Sequence, residues 1–273
     1  FRSDLDGDGN GDTIWRTTAA DGTTQGYVGW LQDSKGTVVA TRTLSEGADR
    51  ELQAAAHFTD DAVTDLVWRN RGTNATKLWT MNGDGTIAAK TYLGGRNAPE
   101  YRIAGTGDYD ANGSADLVWR NDAAGTHTMW LMKGTQVVGE SPLAGPKDAR
   151  LVATAADYDG NGDGRADLVW KHPVTNVHTV RLMNGASTIG GFHVAKGTGW
   201  DLVGTGTYDP NKVGDLLWRN AATGSVVQWL MTYDPASDTG QFRKETELAR
   251  AGTPRTPVPS LSHGGNTIAW RRP

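Results

Sequence analysis

The sequence predicts an all-β fold, a β-propeller of four-stranded antiparallel blades, on three observations. A Leu-Val-Trp motif recurs at a near-constant interval through the 273 residues. Each interval holds short β-branched and aromatic runs separated by turns rich in Gly, Asp and Asn, which is how strands read. No segment keeps apolar residues at i, i+3, i+4 and i+7 long enough to predict a helix.

The repeat is marked by Trp15, Trp68, Trp119, Trp170, Trp218 and Trp270, spaced 53, 51, 51, 48 and 52 residues apart. In the third unit an extended run from Tyr101 to Gly107 enters an acidic, Gly-containing loop, Asp108 to Asp116. Leu117-Val-Trp-Arg-Asn121 follows, then Thr126 to Met132, then Gln136 to Glu140 before a Pro/Gly linker. Four strands in about 50 residues make a propeller blade. One such sheet cannot bury both faces alone, whereas stacked blades bury each other's faces. Consistent with this, the second strand carries Leu117 and Trp119 on one face and Val118 and Arg120 on the other.

The units run approximately 1–50, 51–100, 101–150, 151–199 and 200–255, with a partial sixth over 256–273, in one domain spanning 1–273. The sixth unit's first two strands are predicted at 257–262 and 267–271. Five or six blades are expected, either with the termini sharing a closing blade or as a piece of a larger ring.

Composition removes several function classes. A net charge of -4 leaves no basic stripe for nucleic acid and no polybasic cluster for a membrane surface. Aliphatic runs are too short to span a bilayer, so no membrane insertion is expected. The sequence opens at Phe1 without a charged region followed by an apolar one, so any signal peptide has been removed or lies outside it. Cysteine is absent, which excludes disulfides, a thiol nucleophile and a Cys-ligated metal.

The acidic loops point to calcium. Asp4, Asp6, Asp8 and Asp12 stand at positions 1, 3, 5 and 9 of the first loop, with Gly9 at position 6 and Asn10 offering a carbonyl at position 7. Calcium takes six to eight oxygens, and a short loop delivers them by winding alternate side chains inward around a Gly turn. The third unit repeats the pattern in Asp108, Asp110, Asn112, Gly113, Ser114 by its carbonyl, and Asp116. The fourth is two residues longer. Two registers fit its glycines; the one starting at Asp159 keeps the spacing to Trp170 and places Asn161, Asp163, Gly164, Arg165 by its carbonyl, and Asp167 as the loop, with Asp157 as an outer ligand. Unit two (His57, Thr59, Asp61, Ala62, Asp65) and unit five (Thr207, Asp209, Asn211, Lys212, Asp215) have lost the pattern, and Lys212 replaces the turn glycine. About three structural Ca²⁺ ions are therefore expected. Low-affinity sites of this kind fill outside cells, so a secreted or cell-surface location is expected too.

Units of the form G-T-G-D-Y-D-x-N-G-x-x-D-L-V-W-R-N followed by W-L-M-x-G resemble bacterial FG-GAP/VCBS repeats. These are relatives of the integrin α-subunit propeller and of certain fungal and bacterial lectins. The resemblance covers nearly the whole chain and implies a binding scaffold whose partner is a carbohydrate or a cell-surface protein.

No catalytic motif stands out. His57, His127, His172, His178, His193 and His263 form no metalloprotease pattern, and there is no nucleophile elbow or phosphate-cradling loop. His172 and His178 flank one hairpin. Enzyme activity is left open but not favoured; the alternative is a polysaccharide lyase or hydrolase, or the targeting domain of one. Two Trp series, the motif series and Trp30, Trp79, Trp130 and Trp229, recur as packing residues do. Arg181 breaks the second series. Trp200 lies outside both and is the candidate ligand ring.

Overall fold

The computed structural model describes residues 3–46, 48–146, 148–234, 236, 239–249, 256–258 and 269–271. His263 and the remainder of the expected sixth unit lie outside the described residues.

The fold is a β-propeller with five blades. Blade one is a three-stranded sheet of β1 (Thr13–Thr18), β2 (Thr24–Gln32) and β3 (Val38–Glu46). Blade two orders β4 (Arg50–Ala56), β5 (Asp65–Asn70), β6 (Thr76–Met81) and β7 (Ile87–Tyr92) side by side. Blade three does the same with β8 (Tyr101–Gly107), β9 (Asp116–Asn121), β10 (Thr126–Lys133) and β11 (Gln136–Leu143). Blade four follows with β12 (Arg150–Ala156), β13 (Asp167–Lys171), β14 (His178–Asn184) and β15 (Ser187–Val194). In blade five the strands are β16 (Trp200–Gly206), β17 (Asp215–Asn220), β18 (Val226–Asp234) and β19 (Thr239–Ala249). A short pair, β20 (Thr256–Val258) and β21 (Ala269–Arg271), ends the described chain, and Trp270 lies in β21. Among the described residues there is no helix able to cross a membrane.

Two compact units divide these residues. One comprises 105–111 and the described residues from Ser141 onward; the other comprises the described residues up to Ala104 together with 112–140. In the second, Leu5, Leu31 and Leu44 from blade one pack with Leu66, Trp68 and Trp79 of blade two. On blade two's other face, Val67 and Leu78 join Leu117, Trp119 and Met132 of blade three. In the first unit, Val169 and Val180 of blade four pack with Leu216, Trp218 and Met231 of blade five. Both faces of β5, β9, β13 and β17 are buried, the condition that stacking requires.

The motif tryptophans Trp68, Trp119, Trp170 and Trp218 are buried as packing residues. Blade one departs from the expectation: Trp15 is 48% and Trp30 38% exposed, with rings 5.0 Å apart. Among the described residues its sheet has three strands, and β1 lacks the further strand that β5, β9, β13 and β17 each have beside them. Close approach also sets the linkers. A Cβ added at Gly145 would lie 2.5 Å from the Trp170 ring, so only glycine lets the chain pass there.

Candidate metal centres

Backbone conformation comes first. The residues at loop position 6, Gly9, Gly113 and Gly164, have φ of 83°, 88° and 78°. Ala62 and Lys212, at the same position in the two loops that lost the acidic pattern, are also left-handed, with φ of 60° and 66°. All five loops thus keep a left-handed residue at position 6, and blades two and five hold it without a glycine; position 4 is left-handed as well in loops one, three and four, at Gly7, Ala111 and Gly162. A left-handed L-residue costs about 1–2 kcal/mol, part of which the unfolded-state entropy of glycine would offset. Lys212→Gly and Ala62→Gly are each expected to raise stability by about 0.5–1 kcal/mol in chemical denaturation.

In the first loop, carboxylate oxygens of Asp4, Asp6 and Asp8 lie within 4.8 Å of one another. Asp4 is buried, and its Oδ1 accepts the N–H groups of Gly7 (2.7 Å) and Asp8 (3.1 Å), while Oδ2 accepts that of Gly9 (2.8 Å). Asn10 donates its backbone N–H and Nδ2 to Asp8, at 2.7 and 2.8 Å. Burial and the neighbouring Asp8 and Asp4 carboxylates raise the pKa of Asp6.

In the fourth loop the converging carboxylates are Asp157, Asp159 and Asp167. Asp163 lies outside this group: its Oδ2 takes the Arg165 guanidinium at 2.7 Å, and its Oδ1 accepts the Arg165 N–H at 2.9 Å. The structure therefore gathers Asp157, which the sequence register made only an outer ligand, and leaves Asp163 with Arg165, because the guanidinium competes for it. Asn161 donates to Asp159, with Nδ2 at 3.0 Å. Burial, followed by the Asp159 carboxyl, pushes Asp157 up to about 7, and burial pushes Asp167 up to about 8.

The third loop passes from one compact unit to the other after Ala111, so Asp108 and Asp110 belong to one and Asn112, Ser114 and Asp116 to the other. The carbonyl of Asp108 accepts the Ala166 N–H at 2.7 Å. In the other half, Asn112 Nδ2 donates to the Met132 carbonyl at 2.8 Å, and Ser114 Oγ accepts the Gly134 N–H at 3.0 Å.

Position 9 has a further role that spacing did not reveal. Asp12 Oδ2 accepts the Leu5 N–H at 2.7 Å and its Oδ1 that of Gln32 at 2.9 Å. Asp65 takes Phe58 and Thr59 N–H (each 3.2 Å) on one oxygen and Met81 N–H (3.0 Å) on the other. Asp167 bonds Tyr158 and Met183 N–H, both at 2.9 Å, and Asp215 bonds Tyr208 (2.7 Å) and Met231 (2.8 Å). Asp116 Oδ1 accepts the Met132 N–H at 2.7 Å. In every blade, then, this buried aspartate braces its loop or the neighbouring strand, including blades two and five. Burial raises Asp12 and Asp215 to about 6. Asp209 of the fifth loop is ion-paired with Arg243 from β19, an internal cation in a loop that lacks the acidic pattern.

The histidines do not gather. His172 Nδ1 accepts the Val174 and Thr175 N–H groups of its own turn at 3.3 and 3.2 Å, while His178 is fully buried against the Trp218 ring. His193 is exposed and contacts Thr179. Trp200 is the first residue of its strand, where Arg50, Tyr101 and Arg150 stand in other blades, so it shares a repeat position after all. Lys196 Nζ lies 4.7 Å from its ring centroid and 5.2 Å from that of Trp229.

No protein-family model matches the chain, and no curated protein matches it. Among solved structures it is similar to the Dos1 propeller, with TM-score 0.49 and 10% identity over 88% of this chain and 71% of that one. A prolyl endopeptidase aligns with TM-score 0.46 and 14% identity over 85% of this chain and 35% of that one. The WD40 domain of SCAP from fission yeast aligns with TM-score 0.43 and 11% identity, over 90% and 63%.

Proposed function

We propose that the chain is a calcium-stapled binding module of the FG-GAP type that acts outside the cell and recognises carbohydrate. The observation that carries this reading is the convergence of three carboxylate oxygens within 4.8 Å in each of two loops, Asp4/Asp6/Asp8 and Asp157/Asp159/Asp167. All of these carboxylates but the exposed Asp8 are buried or half-buried; crowded in this way they repel one another, and a hard divalent cation with oxygen preference offsets that repulsion. The donor set fits calcium: carboxylates, with the Asn10 and Arg165 carbonyls available, and neither sulfur nor imidazole. The ion would fix the loop and supply no chemistry. Carbohydrate as the partner rests on the resemblance to FG-GAP-like lectins and on the repeated indoles.

Thermal unfolding with EDTA, calcium or magnesium, followed by a glycan array on the calcium-loaded protein, tests the proposal. At 1 mM calcium, a site with a Kd of about 0.1 mM gains about 1.4 kcal/mol. That corresponds to a rise of roughly 3–5 °C per site. Asp8→Ala should remove one site's share. A melting temperature indifferent to calcium would sink the staple, and a calcium response without glycan hits would move the partner to a cell-surface protein.

A further inference from the structure

The second tryptophan series shows what one blade has and another lacks. In blade three, Trp130 Nε1 donates to Glu140 Oε2 at 2.8 Å, and Glu140 Oε1 is ion-paired with Arg96 at 2.7 Å. Arg96 in turn lies over the Tyr101 ring, 4.8 Å from its centroid. Blade five repeats the arrangement with other residues. Trp229 Nε1 donates to Glu245 at 2.6 Å, Glu245 is paired with Lys196, and Lys196 lies over Trp200. Each is an indole N–H and a cation closed on one internal carboxylate.

Blade two keeps the indole and loses the carboxylate. Trp79 lies 5.1 Å from Trp68, as Trp130 lies 5.1 Å from Trp119 and Trp229 lies 5.3 Å from Trp218. Its cross-strand partner is Lys90, where Trp229 faces Glu245. Arg50 starts β4 where Tyr101 and Trp200 start their strands. Both cations lie over the indole, Lys90 Nζ at 4.2 Å and Arg50 Cζ at 5.3 Å from the ring centroid. The Trp79 ring is 2% exposed, and among the described residues its buried Nε1 has no hydrogen-bond partner. The motif indoles Trp68, Trp119 and Trp218 are unpaired among the described residues as well, but it is at the Trp79 position that the sister blades supply a carboxylate. This N–H is closed to solvent, so an acceptor from outside reaches it by displacing the side chain that covers it and offsets the about 1–3 kcal/mol that an unpaired buried donor costs. Among the described residues Arg50 is paired with Asp49 at 3.7 Å, a surface pair of small energy.

We propose that blade two binds the carboxylate of an acidic sugar, a hexuronate, at Trp79 Nε1, Arg50 and Lys90. The two sister blades define the ligand chemistry, because in both of them the acceptor of this indole is a carboxylate held by a cation. Tyr92, two residues beyond Lys90 on the same face of β7, is 51% exposed and offers a ring for the apolar face of the pyranose. An exposed ring beside an anion site suits a uronate better than an acidic peptide. The inference rests on the carbohydrate reading above.

Calorimetric titration of the calcium-loaded chain with oligogalacturonate, the matched neutral galactose oligomer and polyglutamate tests it. Oligogalacturonate is expected to bind at least tenfold more tightly than either comparison ligand. Lys90→Glu and Arg50→Glu, both surface changes, should each weaken it tenfold or more, and Trp79→Phe severalfold through loss of the N–H alone. Glu140→Gln in blade three should leave it unchanged. Equal binding of neutral and acidic oligomers, or indifference to Lys90→Glu, would overturn the blade-two site while leaving the carbohydrate reading standing. Binding of no glycan at all would overturn both, and polyglutamate bound as tightly as the uronate would overturn the sugar in favour of an acidic protein.

Discussion

Replacing Asp215 by alanine is expected to lower the unfolding free energy by about 2–5 kcal/mol, with calcium present or absent. The fifth loop lacks the acidic pattern, so a purely metal-based role for its aspartate would make this change nearly silent. The carboxylate is instead fully buried and accepts the N–H of Tyr208 on one oxygen and that of Met231 on the other. Alanine leaves both donors without a partner, at about 1–3 kcal/mol each. Part of that loss is returned, because burial raises the Asp215 pKa to about 6 and the charged form is therefore disfavoured at neutral pH. Asn at this position keeps one acceptor and turns an amide N–H toward the other donor, so Asp215→Asn should fall between wild type and alanine. Asp65→Ala in blade two should behave in the same way. Urea denaturation of these variants in EDTA and in calcium decides it: a loss seen only in calcium would end the brace assignment.

Much of the fold was legible because the Trp motif samples every blade at one strand position. The period therefore narrowed the blades to five or six, or a piece of a larger ring, and the turn residues placed the strand boundaries. What the linear pattern hid is where one residue type serves two purposes. Aspartate at position 9 looked like a calcium ligand in three units and a relic in two, yet it braces backbone in all five. A signal was present: Asp65, Asp116, Asp167 and Asp215 each precede a methionine, Met81, Met132, Met183 and Met231, by 16 residues. That spacing is the hydrogen bond itself. Trp200 looked solitary because it was measured against other tryptophans, whereas its strand position holds Arg50, Tyr101 and Arg150 in sister blades. The exposure of Trp15 could not be read at all, since it depends on a neighbouring strand and not on the local run. Lys212 looked like a broken turn, but the backbone path survives without glycine because the surrounding ladder holds it.

Acid should destabilise the protein through His178, and His178→Val should remove that share. The imidazole is fully buried in blade four with its edge against Trp218, ring centroids 4.8 Å apart. Burial, then the nearby Lys171 cation, lowers its pKa to about 4; the Asn176 backbone and Asp201, ion-paired with Lys171, oppose the effect, and Arg150 adds to it. The unfolded chain titrates near 6.5, so it binds the proton more tightly than the folded state does. The stability from this depressed pKa is present above pH 6.5 and is lost as the pH falls through 4. A difference of roughly two and a half pK units corresponds to about 3 kcal/mol. Buried carboxylates pull the other way: Asp167 and Asp215, raised to about 8 and 6, bind protons more tightly in the folded state and favour it as the pH falls. The wild-type profile is therefore a sum of opposing slopes, and only the difference between wild type and His178→Val isolates the histidine. Valine is the appropriate substitute because Val226 fills the same slot in blade five, also fully buried, and Thr76 fills it in blade two. His127 occupies that slot in blade three and is likewise lowered to about 4 by burial, so the double change His127→Val with His178→Val should roughly double the gain at pH 4.5. Denaturation midpoints from pH 7.5 to 4.5 would show the wild-type and variant curves converging or crossing toward acid. Parallel curves over that range would mean that His178 is protonated in the folded state or that its burial carries no titration cost.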